Sequence, residues 1–96
     1  MNSFEKTELF DGWLKTLTDI KGKAKILARI NRATNGNFGD SEPVGDGISE
    51  MRIHYGPGYR VYYKRVGTTV YLLLAGGDKS TQAQDIEKAK ELATKL

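Results

Sequence analysis

The chain has no cysteine and a single histidine. Without thiols it can build neither a disulfide framework nor a thiolate metal site, and one imidazole does not make a histidine-ligated zinc centre. No metal and no cofactor is therefore expected. The sequence also lacks any run approaching the roughly 18 apolar residues of a membrane-spanning helix. Its opening, MNSFEKTELFDGW, carries acids and lysines where a signal peptide needs an apolar core. A cytoplasmic protein without a membrane partner is expected.

What is present suits one small globular domain over residues 1–96, with 39% hydrophobic and 28% charged residues. At this size only about two-thirds of the unfolded surface is buried, so the core must be thin. A net charge of +3 is too small to define a polyanion partner, but the cations are segregated. Ile20 to Gly39 holds five basic residues and no acid, and Met51 to Gly77 holds four more plus His54, again with no acid. Such stretches fit a nucleic-acid surface or simply two solvated basic faces.

Leu9, Trp13, Leu14 and Leu17 recur at helical spacing from Glu8 to Thr18, with Thr7 available as N-cap. After a turn near Asp19, Ile26, Leu27, Ile30 and Ala33 mark a second helix that Asn35-Gly36-Asn37 ends. These two segments predict a helical hairpin. The glycine-rich stretch Asn37 to Gly47, broken by Pro43, reads as a connecting loop. Ile48–Tyr55, Tyr59–Val66 and Thr69–Ala75 are β-branched and aromatic runs separated by turns, which predicts an antiparallel meander. A last helix spans roughly Thr81 to Thr94, and Asn2 to Lys6 could add an edge strand. The expected fold is α+β: an N-terminal helical hairpin packed on a small antiparallel sheet of three to four strands, with a C-terminal helix.

A three-residue turn pairing Tyr55 with Tyr59 would set Arg52 opposite Tyr62, His54 opposite Arg60 and Glu50 opposite Lys64. All six would share one face, and Met51, Ile53, Tyr55, Tyr59, Val61 and Tyr63 would form the other, apolar one. Two arginines, a lysine, a tyrosine and a histidine on neighbouring rungs suit a polyanion whose transition state gains negative charge. RNA can be cut without metal when its own 2′-hydroxyl attacks and protein groups move the protons. Arg52, His54, Arg60 and Tyr62 are thus the candidate catalytic set, with Lys64 beside them. Each has a plainer role available: His54 as a polar strand residue, Tyr62 as cross-strand packing, Lys64 as the exposed partner of Glu50. Arg52 and Arg60, as like charges close together, call for an external anion.

Gly76-Gly77-Asp78-Lys79-Ser80 places Asp78 where a Walker sequence needs glycine, which excludes nucleotide binding of that kind. Lys79 and Gln82 would still open the last helix, where an anion or ordinary capping could use them. Lys25, Arg29 and Arg32 follow i, i+4, i+7 and give the second helix a basic stripe that could rest on RNA or face water.

Several phrases carry a family resemblance: Phe10 and Trp13-Leu14, Gly36-Asn37-Phe38-Gly39-Asp40, the run Val44 to Ile53, Gly56-Pro57-Gly58-Tyr59-Arg60-Val61-Tyr62-Tyr63, Leu73 to Gln82, and Asp85-Ile86. Together, over about residues 4 to 92, they resemble the RelE/ParE superfamily of toxins, in its addiction-module killer (HigB-like) branch. The resemblance implies a toxin of a type II toxin–antitoxin pair, neutralised by a helix-turn-helix antitoxin that carries the complex to operator DNA. It implies a free toxin that cuts mRNA on the ribosome without metal, or, in ParE-like members, one that inhibits DNA gyrase; fold alone does not separate these. Arg52 and Arg60 then match strand positions of phosphate-binding cations, and His54 and Tyr62 lie near positions of acid–base work. The aspartate-tyrosine-histidine ending of one HigB type is absent, and no late tyrosine follows Gln82.

Overall fold

Local sequence starts each helix. Thr7 accepts a hydrogen bond from the Phe10 amide (3.1 Å) and opens α1, Glu8–Thr16, whose inner side buries Phe10 and Leu14. Asp19 accepts from the Gly22 amide (3.0 Å) and opens α2, Ile20–Thr34, which buries Ile26 and Ala33. The computed structural model describes all 96 residues, Met1–Leu96. Its strands are β1 (Ser3–Lys6), β2 (Ser41–Gly45), β3 (Ile48–Ile53), β4 (Tyr59–Arg65) and β5 (Val70–Asp78), followed by a 3-10 turn at Lys79–Thr81 and by α3, Gln82–Ala93. No helix is long and apolar enough to cross a membrane.

The expected hairpin on a three- or four-stranded antiparallel sheet is corrected to a mixed sheet of five strands in the order β1-β5-β4-β3-β2, with three helices. The edge segment Ser3–Lys6 runs parallel to β5, and all other pairs are antiparallel. The stretch expected to be loop contains β2, paired with β3 through Asp46-Gly47. Both turn residues have positive φ (56° and 76°), the geometry a two-residue hairpin requires and an Asp-Gly pair supplies. Pro43 is tolerated because β2 is an edge. Nor do α1 and α2 close on each other as a hairpin: α1 lies over β5, and α2 over β3 and β4.

Each face of the sheet carries a buried core. Phe10, Leu14, Ile26 and Ala33 pack on Met51, Ile53, Tyr59, Val61, Tyr63 and Leu73, the face expected to be apolar. On the opposite face α3 covers Ile48, Tyr62, Leu72, Leu74 and Ala75 through Ala89. Strand β5 explains why: Leu72-Leu73-Leu74-Ala75 is unbroken apolar sequence, which only burial on both sides satisfies. A bulge there sets Tyr62 against Ala75 but Tyr63 against Leu73, leaving Leu74 as the extra residue.

Tyr59 ties the layers together, donating from its hydroxyl to Asp19 Oδ2 at 2.8 Å. That hydrogen bond, with burial, pushes the phenol up to about 12. A raised folded value means this contribution to stability is intact below the ordinary tyrosine value near 10 and is lost as pH rises from there through about 12. Spectrophotometric titration should therefore show one tyrosine ionising near 12. Asp19→Asn should bring it back toward 10, and an unchanged titration would remove Asp19 as the cause.

Candidate functional site

The hairpin between β3 and β4 closes on the pair Ile53–Tyr59, with a five-residue loop His54–Gly58. This differs by two residues from the three-residue turn expected. Face assignment survives a shift of two, but partners change: Arg52 now faces Arg60, Glu50 faces Tyr62, and Lys64 faces Ile48. His54 leaves the sheet altogether.

Two like charges directly opposite each other would repel, and Glu50 resolves this. Its Oε2 lies 2.9 Å from Arg60 Nη1 and 3.7 Å from Arg52 Nε. Its Oε1 accepts from Gln82 Nε2 at 2.7 Å and from the Tyr62 hydroxyl at 3.3 Å. Arg52 also reaches Glu42 at 2.6 Å and Asp40 at 3.7 Å. The anion that Arg52 and Arg60 call for thus comes from within the chain. Glu50 is 3% exposed, Arg60 8% and Tyr62 fully buried. Burial and the Glu50 charge push the Tyr62 phenol far above the ordinary tyrosine value. Here Tyr62, Arg60 and Gln82 hold α3 on the sheet.

The other cations assemble on the opposite side. Lys25, Ala28, Arg29 and Arg32 of α2 and Ile53, His54 and Tyr55 line a groove of about 350 Å³. Lys25 Nζ sits 5.1 Å from the centroid of the Tyr55 ring, and Arg32 is exposed. Arg29 is half-buried and donates to the carbonyls of Arg52, Phe38 (2.9 Å) and Asp40 (3.2 Å). Burial lowers its affinity for its proton, yet a guanidinium remains charged in this range. By gripping Phe38–Asp40 it brings Asp40 Oδ2 to 2.5 Å from His54 Nε2. The hydrogen bond from His54, helped by Arg52 and Arg29, holds Asp40 below the ordinary carboxylate value. A carboxylate-oriented imidazole, two-thirds exposed and beside free cations, can move a proton at a bound phosphodiester.

Lys79 lies against Gly58, and Lys64 against Gly47, both away from this groove. Sequence reasoning missed Asp40, Glu42 and the structural use of Glu50. Asp40 and Glu42 stand in the segment read as loop, where the Asp46-Gly47 turn was the signal for a strand. No group of three or more His, Asp or Glu is placed to hold a metal ion.

Fold and groove together define an α+β protein with helices on both faces of a mixed sheet and a basic cleft bearing a histidine–aspartate pair. Over 92 residues the chain is 55% identical to a Haemophilus influenzae protein described as uncharacterized, covering 95% of this chain and 93% of that one. The chain belongs to the family of that protein. No family model and no solved structure matches it.

Proposed function

We propose that this chain is the toxin of a type II toxin–antitoxin pair and cuts mRNA on the ribosome. The observation that carries the reading is the groove between α2 and the β3–β4 loop, where Lys25, Arg32 and the Asp40–His54 pair converge. The cations bind the phosphodiester, and His54 takes the proton of the ribose 2′-hydroxyl as that oxygen attacks phosphorus. The bond to the 5′-oxygen breaks, the proton is returned to that oxygen, and a 2′,3′-cyclic phosphate and a 5′-hydroxyl remain. The sequence phrases quoted above add the partner: a helix-turn-helix antitoxin that restrains the toxin and carries the pair to operator DNA.

Brief induction of the chain alone, with mapping of RNA ends, tests this. New 5′-hydroxyl ends inside translated messages are expected; their absence under conditions that stop growth sinks the proposal. A second reading, gyrase inhibition, draws support from Arg52 and Arg60 being held by internal carboxylates and from exposed Ile20 (83%) and Leu27 (47%) on α2. A supercoiling assay separates the two, since only that reading expects loss of gyrase activity.

A further inference from the structure

On the face that carries α1 and α2, helix α2 crosses from Gly22, against Tyr59, to Thr34, whose carbonyl accepts from the Asn2 amide beside β1, and none of its residues lines the far end of β2, β3 and β4. The far end of the same face is a concavity of about 470 Å³. Four adjacent strands floor it with Ser41, Ser49, Tyr63, Arg65 and Tyr71, and Phe38 stands over it. Where the covered part of this face carries Met51, Ile53, Val61 and Leu73, this part carries two serine hydroxyls and an exposed arginine. A patch of sheet that served only as core would not need them.

The rings are held firmly. Phe38 stacks on Tyr63 at 5.3 Å and 19°, Tyr71 tilts against Phe38 at 5.2 Å, and Ser41 Oγ lies 2.5 Å from the Tyr63 hydroxyl. Phe38 and Tyr71 remain half-exposed, so ring surface faces the concavity. Arg65 donates from Nε to the Gly67 carbonyl at 3.0 Å, which fixes its guanidinium at the rim. The wall toward the basic groove is Phe38 and Gly39, and Arg29 of that groove binds the Phe38 carbonyl through Nη2. The concavity and the groove are thus neighbours on either side of the Phe38–Asp40 segment.

We propose that this concavity is a nucleobase subsite, receiving one unstacked base of single-stranded RNA while the adjoining phosphate lies toward the α2 groove; RNA as the ligand rests on the function proposed above. Aromatic rings displayed on a sheet stack splayed-out bases regardless of sequence. Serine hydroxyls both donate and accept, which suits a base edge, and Arg65 suits a flanking phosphate. An apolar side chain from a partner protein would leave the Ser49 hydroxyl and the Nη groups of Arg65 without partners, since only Ser41 and Arg65 Nε are already bonded within the chain. Paired RNA is excluded because its bases are not free to enter.

The test uses the intact chain, a ribotrinucleotide and the same trinucleotide with an abasic central position, with binding followed through backbone amide resonances. The base-containing probe should bind about tenfold tighter than the abasic one, the scale expected for stacking one base. Only the base-containing probe should shift the amides of Gly39, Ser41 and Ser49. Phe38→Leu and Arg65→Gln should each erode the preference; Arg65 is exposed, so its variant stays informative if Phe38→Leu unfolds. Equal binding of the two probes, or a preference unchanged in Arg65→Gln and in folded Phe38→Leu, overturns the subsite. Shifts of these amides by the antitoxin with no base preference would assign the concavity to protein contact instead. Base preference without mRNA cleavage would remove the endonuclease and keep the subsite, and cleavage without base preference would do the reverse.

Discussion

His54→Ala is expected to lower mRNA cleavage by about 10²- to 10⁴-fold, the usual contribution of a positioned acid–base group. The thermal midpoint should hardly move, because the side chain is 67% exposed and sits on a loop. Asp40→Asn keeps the shape but removes the charge that orients the imidazole, so cleavage should fall less and its pH profile should shift. The decisive comparison is between the two variants at equal folded fraction in a reconstituted translation reaction. Wild-type cleavage by His54→Ala would take the histidine out of the mechanism. Lys25→Ala and Arg32→Ala, which leave the Asp40–His54 pair in place, should weaken RNA binding and flatten its salt dependence.

The largest effect on stability is expected at Glu50. Replacing it by Ala leaves the Arg60 and Arg52 guanidiniums facing each other with the buried carboxylate gone, and breaking one side of a buried pair costs about 3–5 kcal/mol. Against a total of about 5–15 kcal/mol for a domain, that loss is severe. Chemical denaturation reads it directly. The Gln82 amide and the Tyr62 hydroxyl would also lose their acceptor, so α3 should loosen first, visible as faster amide exchange along Gln82–Ala93. Glu50→Leu combined with Arg60→Met should recover part of the loss, since an apolar pair avoids the desolvation of charge. If Glu50→Ala melts with the wild type, the carboxylate does not hold the two arginines.

The same residue shows where sequence reasoning stopped. The alternation around Glu50 was legible, and within β3 and β4 the faces it assigned are the faces observed, because a two-residue shift of register preserves parity; His54 and Tyr55, assigned to those faces, lie instead in the loop. Its partners were not legible. Loop length sets register, and Gly56-Pro57-Gly58 is compatible with either a three- or a five-residue connection. An acid-free stretch of sequence likewise does not imply an acid-free surface: Glu42 in β2 and Asp40 just before it reach Arg52 and His54, about a dozen residues downstream and adjacent only once the Asp46-Gly47 hairpin folds back.

Among the cations, the groove draws on two groups read separately from the sequence. Lys25, Arg29 and Arg32 were a stripe at helical spacing, and His54 was assigned to a strand face with Arg52 and Arg60. In the fold His54 joins the stripe, while Arg52 and Arg60 turn to Glu50 on the other side of the sheet. Arg29 changes role as well, spending its donors on the carbonyls that place Asp40.

Local chemistry along the chain was enough to set which residues start the first two helices, which positions alternate in the strands and which side chains form the first core. Thr7 as the cap of α1, and Met51, Ile53, Tyr59, Val61 and Tyr63 on one face, follow from spacing within a few residues. The cysteine count likewise closes off disulfides without any structure. Tertiary structure alone decided that β1 runs parallel to β5, that α3 covers the polar face, and that Tyr62 is interior while His54 is free. Those outcomes depend on which distant segments meet, and that is set by burying Leu72–Ala75 on both sides and by pairing charge across the whole chain, terms that no local window contains.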